Sequence, residues 1–130
     1  MIEAEEFIQL RKLIEELIDR SENGAVIVVE GLKDVVALRD LGVRGEILTS
    51  SGMSDADLVD VVGRREVIIL TDCDRRGKQI EKNLVSKFLS WGVTPDTELK
   101  KKIFALVRKD ITTVESLAGY YVRVERELRL

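Results

Sequence analysis

Apolar residues follow a helical rhythm in some parts of the chain and a strand-like rhythm in others. From about residue 2 to residue 20, apolar residues recur every three or four positions. They are Phe7, Leu10, Ile14 and Leu17. This spacing predicts an amphipathic helix with one buried stripe. Residues 25–30 (AVIVVE) are instead a nearly continuous β-branched run, which is typical of a strand covered on both faces.

The chain then alternates between the two patterns up to its middle. Residues 32–41 return to helical spacing, and Gly42 is placed to end that helix as its C-terminal cap. The apolar positions predicted to face inward in it are Leu32, Val35, Val36, Leu38 and Leu41. A short strand is predicted at 46–49, and Ser54 with Asp57 has the capping-box spacing that begins another helix.

The second half of the chain continues in the same way. A third strand is predicted at 66–72, then a helix at about 75–91, and a fourth strand at 102–107. The inward positions predicted in the long helix are Ile80, Leu84, Val85, Phe88 and Leu89. A last amphipathic helix at about 114–129 has the apolar positions Val114, Leu117, Tyr121, Val124 and Leu128.

Strands that alternate with helices of this length predict an α/β fold with a parallel sheet of about four strands and right-handed crossovers. We expect one domain over residues 1–130, with its core at about 24–110 and extra helices at about 2–20 and 114–129. The terminal helices are most simply core-covering elements. A dimer seam is the minority interpretation, so we expect a monomer or a weak homodimer.

Composition narrows the chemistry that this fold can carry. The chain has no histidine and a single cysteine, Cys73, which excludes Ser-His and Cys-His catalysis, an internal disulfide and Cys/His zinc sites. No apolar run is long enough to span a bilayer and the N-terminus is acidic, so we expect a cytoplasmic protein without a membrane partner.

Basic residues are concentrated in two segments although the formal net charge is −3. The first segment contains Arg75, Arg76, Lys78, Lys82 and Lys87. The second contains Lys100, Lys101, Lys102, Arg108 and Lys109. Each segment is either a solvated face or a surface for an anionic partner, and the sequence leaves both interpretations open.

Acidic residues follow the predicted strands, where parallel α/β sheets place their functional sites. Glu30 follows the first strand, and the turn at 49–52 (TSSG) follows the second. The segment 108–110 (RKD) follows the predicted fourth strand, so we expect it at the same edge. Asp72 and Asp74 follow the third strand and share a side, with Cys73 pointing the other way. Carboxylates this close repel each other by about 4 kcal/mol per pair near a surface, unless a cation or a proton intervenes. Mg²⁺ takes one or two carboxylates together with waters and phosphate oxygens, so it would fit here.

Simpler interpretations exist for these residues. Asp74 is also placed to cap the helix that follows it, and Cys73 is most simply a small packed residue. Glu30 is harder to explain structurally, because glutamate is rare at the end of a buried strand. Gly31 follows it at once, and Asp34 comes about one helical turn later.

These segments together resemble the toprim domain. VIVVEGLKDVVAL (residues 26–38) has that family's Glu-Gly pair after the first strand, and VIILTDCDRRGKQI (residues 67–80) has its Asp-x-Asp after the third. The family includes bacterial-type primases, topoisomerases, nucleases of the old-family type, recombination-repair proteins and the ribonuclease that matures 5S ribosomal RNA. The resemblance covers roughly residues 24–107 and is strongest to small stand-alone toprim proteins.

The resemblance implies roles for particular residues. Glu30, Asp72 and Asp74 would be the catalytic and metal-binding acids, with Mg²⁺ as cofactor, Mn²⁺ as a substitute and Asp34 as a secondary acid. The positions expected to contact substrate phosphate are Gly31, Lys33, Arg76, Gly77 and Lys78. Arg76 stands where topoisomerases carry a further acid, and Tyr120 and Tyr121 are more simply packing residues than nucleophiles, so we reject a topoisomerase.

Other families that use acids at strand ends match less well. Haloacid dehalogenase phosphatases need Asp-x-Asp-x-Thr near the first strand, and receiver domains need an acidic pair there. No phosphate loop of the Walker type occurs. Two functions stay open: a Mg²⁺-dependent phosphodiester enzyme on nucleic acid, or a non-catalytic metal-dependent module that binds nucleic acid or nucleotide, within a larger complex if it has protein partners. RNA versus DNA, and cleavage versus polymerisation, are undecided.

Overall fold

A parallel sheet of three strands, with the first strand at its centre, organises the helices of this chain. A computed structural model describes residues 1–130. In chain order the elements are α1 (Ala4–Glu22), β1 (Val26–Val29), α2 (Leu32–Leu41), β2 (Ile47–Thr49), a 3₁₀ turn (Ser50–Gly52), α3 (Asp55–Val62), β3 (Val67–Ile69), α4 (Arg75–Ser90), α5 (Glu98–Val107) and α6 (Leu117–Leu128). The predicted α/β class is therefore confirmed.

The register of the sheet brings the ends of its strands together. Ile27 of β1 pairs with Ile47 of β2 on one side and with Ile68 of β3 on the other. All pairings are parallel, so the chain leaves all three strands at the same edge of the sheet. Side chains in the loops after β1, β2 and β3 can therefore meet.

Both faces of the sheet are covered, as the β-branched run at 25–30 predicted. Ile27 and Val29 point into a core that α1, α2, α5 and α6 build. Val26 and Val28 point into a second core, on the side of α3 and α4. Every residue of β1 is fully buried as a result. The stripe predicted for α1 also lies in the larger core.

The fourth strand predicted at 102–107 is wrong, because these residues belong to the helix α5. The apolar run at 103–107 is part of a longer pattern with helical spacing, whose buried members are Leu99, Ile103, Phe104 and Val107. Asp96 begins this helix by accepting hydrogen bonds from the backbone amides of Glu98 and Leu99, at 2.8 and 3.1 Å. Only an isolated parallel bridge between Ile68 and Asp96 extends the sheet beyond β3.

Several residues lie on a different side of their helix from the one predicted. Leu32, Val36 and Leu89 are exposed, although their spacing placed them inward. In α2 the buried positions are Asp34, Ala37 and Leu38, so the buried face of this helix is centred on different residues from those that the apolar spacing indicated. None of the helices has the length and apolar character needed to cross a membrane.

Candidate functional site

Three loops converge at the carboxyl edge of the sheet. The loop after β2 contacts the end of β1, since the backbone N–H of Ser51 donates to the carbonyl oxygen of Glu30 at 3.0 Å. The loop after β3 contacts the same residue, since the backbone N–H of Asp72 donates to Glu30 Oε2 at 2.8 Å. Residues 42 positions apart in sequence are thus joined directly at this edge.

Glu30 lies in surroundings that oppose its negative charge. Partial burial raises the pKa of its carboxyl group, the hydrogen bond from the Asp72 amide lowers it, and repulsion from Asp72, Asp74 and Asp34 raises it again. The net effect raises the pKa of Glu30 above its usual range. No lysine or arginine forms an ion pair with these four acids. The arrangement favours a proton or an added cation.

Asp72 is oriented by a segment that the sequence analysis did not connect with it. Its Oδ1 accepts a hydrogen bond of 2.8 Å from the backbone N–H of Val114. The neighbouring Cys73 N–H donates to the carbonyl oxygen of Thr112 at 2.7 Å. These are backbone contacts from the loop between α5 and α6, and no side-chain pattern could have revealed them.

Asp74 caps α4 through one carboxylate oxygen. Its Oδ1 accepts a hydrogen bond of 2.7 Å from the backbone N–H of Gly77, so the capping interpretation is confirmed. Its second oxygen makes no hydrogen bond to the protein, and the same is true of the second oxygens of Glu30 and Asp72. Each of the three acids therefore keeps one oxygen for a ligand.

Gly77 is required by the packing of α4 against the loop after β3. A Cβ atom at this position would lie 2.1 Å from the carbonyl oxygen of Asp72, which no ordinary contact permits. Gly31 has no such restriction. The N–H of Gly31 donates to Asp34 Oδ2 at 3.0 Å, and that of Gly77 to Asp74, so both amides already have partners. Their phosphate contacts stay a prediction.

Asp34 is a buried carboxylate beside this edge. Burial is the main cause that raises its pKa, the hydrogen bond from Gly31 lowers it, and the charges of Asp72 and Glu115 raise it further. Its place in the fold is to hold the start of α2, and hence the backbone next to Glu30. The sequence had identified it as a secondary acid.

A small cavity of about 180 Å³ opens beside Glu30. Its polar lining includes Ser50, Ser51, Asp55 and Arg76. We call it the acidic cavity. Arg76 is thus brought to Glu30, as expected, whereas Lys78 lines a different cavity and Lys33 is exposed on α2. Asp55 was missed, because a residue at the start of a helix looks like an ordinary N-terminal acid.

The segment 108–110 was expected at this edge on the assumption of a fourth strand, and that expectation is wrong. It follows α5, and Asp110 is engaged elsewhere. Its Oδ2 accepts a hydrogen bond of 2.6 Å from the Tyr120 hydroxyl and lies 3.4 Å from the amino group of Met1. Burial, followed by this hydrogen bond, raises the pKa of Tyr120 to about 12. Tyr120 is 3% exposed, which confirms it as a packing residue.

Beneath the acids lies a buried polar network that the sequence did not indicate. Lys100 is only 6% exposed, although it had been grouped with the surface lysines. Its Nζ donates to Thr71 Oγ1 at 2.9 Å and to Glu81 Oε1 at 2.8 Å. The Thr71 hydroxyl donates to the carbonyl oxygen of Gly77 at 2.8 Å. The network fastens α4 and α5 to the end of β3 and so supports the loop that carries Asp72 and Asp74.

The donor set fits a divalent cation such as Mg²⁺ in an open site. No three histidine, cysteine, aspartate or glutamate side chains are arranged to hold a metal ion by themselves. Mg²⁺ does not require this, since it commonly takes one or two carboxylates and fills its other positions with water or phosphate oxygens. The second oxygens of Glu30, Asp72 and Asp74 are the ligands available.

Comparison with known proteins gives a consistent result. Residues 25–107 match the family of the Toprim domain. The chain is 46% identical to a UPF0292 protein of Archaeoglobus fulgidus over 120 residues, which are 92% of this chain and 95% of that protein. It is 43% identical to a UPF0292 protein of Thermococcus gammatolerans over 122 residues, covering 93% of this chain and 90% of that protein.

A solved structure is also similar to this one. It is of a protein from Aquifex aeolicus that is 32% identical to this chain, with a TM-score of 0.70. The similarity covers 81% of this chain and 94% of the other. The fold is therefore shared beyond the level of sequence motifs.

Proposed function

The chain belongs to the Toprim domain family and to the UPF0292 proteins, and from this premise we propose that it is a Mg²⁺-dependent phosphodiester enzyme that hydrolyses nucleic acid. The observation that carries the proposal is the acidic centre formed by Glu30, Asp72 and Asp74. Three carboxylates from two strand ends meet without a compensating cation, and each keeps a free oxygen. Such an arrangement costs stability unless a ligand neutralises it.

The free oxygens of Asp72 and Asp74 would hold the cation, and Glu30 would be a third ligand while its Oε1 carries no proton. Bound Mg²⁺ would supply stabilisation of negative charge on the phosphate oxygens. The Val114 amide holds Asp72 in place, and the Gly77 amide holds Asp74, so neither carboxylate has to be ordered when ligands arrive.

Glu30 would transfer the proton that hydrolysis requires. In the metal-free protein its pKa is raised, so this carboxyl group takes up a proton more readily than an ordinary glutamate does. The Asp72 amide orients the carboxylate through Oε2 and leaves Oε1 for the proton.

Positive charge beside the acidic centre would bind the substrate backbone. Arg76 lies in the acidic cavity with Glu30 and is the best-placed residue for a phosphate. Lys33 and Lys78 complete the predicted set of phosphate contacts, together with Gly31 and Gly77, whose amides would first have to leave Asp34 and Asp74. We also propose a cytoplasmic location and a monomer or weak homodimer.

The test is cleavage of end-labelled single-stranded RNA and DNA with Mg²⁺ or Mn²⁺. We expect Asp72→Asn and Glu30→Gln each to lower the cleavage rate by about 100-fold or more, because one removes a ligand and the other the proton-transfer group. Asp60→Asn is the matched control, since Asp60 is exposed on α3 and its side chain forms no hydrogen bond or ion pair. Cleavage by both site variants at the wild-type rate would refute the mechanism.

The alternative function is a non-catalytic module that depends on the same metal site. The same acids would then bind a nucleic-acid end or a nucleotide through a cation without cutting it. Calorimetric titration with Mn²⁺ on the wild type and on Asp72→Asn separates the cases when it is combined with the cleavage assay. Metal-dependent binding that the variant loses, with no product after long incubation, would support the binding module.

A further inference from the structure

A second concavity, of about 550 Å³, lies between α4 and α5. We call it the α4–α5 groove. Its lining includes Cys73, Lys78, Glu81, Lys100, Lys101 and Arg108. The groove is separate from the acidic cavity beside Glu30, with which it shares no lining residue.

Opposite faces of α4 line the two cavities. Successive helical residues are rotated by about 100°, so Arg76 and Lys78 point in nearly opposite directions. Arg76 accordingly lines the acidic cavity, and Lys78 lines the α4–α5 groove. One end of the groove is nevertheless next to the acidic centre in the chain, because Cys73, between Asp72 and Asp74, forms part of its wall.

The groove is positively charged in a chain whose formal net charge is −3. Its lining contains four basic side chains, those of Lys78, Lys100, Lys101 and Arg108, and two carboxylates, those of Glu81 and Glu98. Lys100 forms an ion pair with Glu81, and the pair supports the floor of the groove. The other three basic residues form no ion pair. A concave surface with unpaired cations attracts an anionic ligand.

Two of the unpaired basic residues, Lys101 and Arg108, lie on the α5 side of the groove. Lys101, Ala105 and Arg108 are spaced four and three residues apart, which puts them on one face of the helix. Lys101 and Arg108 are separated by about 10 Å along the helix axis. The small side chain of Ala105 leaves the space between them open. Two cations at this separation suit an extended polyanion better than a single phosphate.

We propose that the α4–α5 groove binds the phosphate backbone of the nucleic-acid strand next to the phosphodiester held at the acidic centre. The proposal rests on the proposed function, since it assigns a path to the same substrate. Lys101 and Arg108 contact backbone phosphates, and the strand passes Cys73 to reach Asp72 and Asp74. Contacts of this kind give affinity without base specificity.

The experiment measures dissociation constants by fluorescence anisotropy with labelled 12-nucleotide RNA and DNA, in Ca²⁺ and at 50 to 200 mM salt. The groove variant is Lys101→Glu/Arg108→Glu. The matched control is Lys102→Glu/Lys109→Glu, which changes the charge equally, in each case one position further along the chain. Circular dichroism and thermal melting check that both variants are folded.

We expect the groove variant to bind about 10-fold more weakly at low salt. The logarithm of the association constant decreases linearly with the logarithm of the salt concentration. The groove variant should make this slope less steep by about 1.4, the value for two lost single-strand phosphate contacts. The control should stay within about 2-fold of the wild type, since its lysines lie outside the groove. Equal weakening in both variants, or in neither, would overturn the proposal.

The cleavage assay separates this proposal from the proposed function. If the wild type cuts and the acid variants do not, while the groove variant binds normally, only the groove is refuted. If binding depends on the groove but no product forms, the hydrolytic function is refuted and the groove is retained. A wild type that binds neither RNA nor DNA would refute both.

Discussion

The acidic side chains at the two edges of the sheet differ in whether a basic residue compensates their charge. At the amino edge Arg20, at the end of α1, donates hydrogen bonds to Glu16, Glu66 and Asp96. At the carboxyl edge four acids meet, and none forms an ion pair. The acids at one edge are compensated by a cation of the chain itself, and those at the other edge are not.

The titration behaviour of the carboxyl groups follows this difference. Burial alone would raise the pKa of Asp96, but hydrogen bonds from Arg20 and from the amide of Leu99 hold it below its usual value. Burial also acts on Glu30, and there the neighbouring carboxylates add to it, so the pKa is raised. Acids of the same kind thus stabilise the fold at one edge and strain it at the other.

The largest loss of stability is expected from a substitution at Gly77, where α4 packs against the backbone that carries Asp72. In Gly77→Ala the new Cβ would lie 2.1 Å from the Asp72 carbonyl oxygen, so α4 and the loop must separate. We expect a loss of about 3 kcal/mol in unfolding free energy and weaker Mn²⁺ binding, measured by urea denaturation and calorimetry.

Gly119→Ala is the control for this substitution. Gly119 lies within α6, and a Cβ there would meet nothing within 4 Å. Alanine is the better helix former, so this variant should gain about 0.5–1 kcal/mol and bind Mn²⁺ as the wild type does. Equal stability in the two variants would mean that the contact between α4 and Asp72 is looser than the structure has it.

The second-largest loss of stability is expected at the amino edge, when Arg20 is replaced. Arg20→Met keeps most of the apolar stem but leaves three carboxylates without their cation, and we expect it to lower the unfolding free energy by about 2 kcal/mol at pH 7. Arg65→Met is the control, because its partner Glu46 is 41% exposed and the pair is worth only about 0.2–1 kcal/mol. Similar losses in both variants would contradict a special role for the Arg20 cluster.

The same variant should also change the response to acid. The stability contributed by Asp96 is present above the ordinary aspartate pKa of 3.8, and it is lost as pH falls through the lower pKa of the folded protein. Without Arg20 that pKa returns toward its usual value. Acid unfolding of Arg20→Met should therefore begin from a lower stability and show a smaller loss below about pH 4.

The sequence predicted the acidic edge better than its surroundings. Glu30, Asp72 and Asp74 could be placed together because buried β-branched strands are recognisable and parallel strands end at one edge. The short apolar run at 103–107 was assigned to a strand, since periodicity alone does not separate a short strand from a helix segment. Asp96, whose carboxylate accepts from the first amides of this helix, lies seven residues before the run, so the run itself contains no helix-start signal.

Contacts that depend on tertiary structure could not be predicted. The hydrogen bond from Val114 to Asp72 involves a backbone amide, which every residue but proline has, so it leaves no trace in the sequence. Lys100 lies among other lysines and looks like a solvated residue, but the packing of α5 buries it against Thr71. Charge type can be read from a sequence, whereas burial of a single charge depends on which neighbours the fold supplies.

The smallest effect is the most direct test of the uncompensated edge. Glu30→Gln keeps an oxygen that can accept from the Asp72 amide but removes one of the repelling charges, so the metal-free protein should become more stable by about 0.5 kcal/mol at pH 7. The raised pKa of Glu30 means that the contribution of this residue to stability is full below the ordinary glutamate pKa of 4.5 and is lost as pH rises through the folded value. The variant should lack this decline, and Glu127→Gln, at an exposed residue of α6, should retain it. Thermal melts in EDTA from pH 4 to 8 measure the pH dependence of stability in both variants.

A Glu30→Gln protein that melts below the wild type at neutral pH would show that the acids at this edge are held by contacts stronger than their repulsion. The contrast between the two edges would then fail.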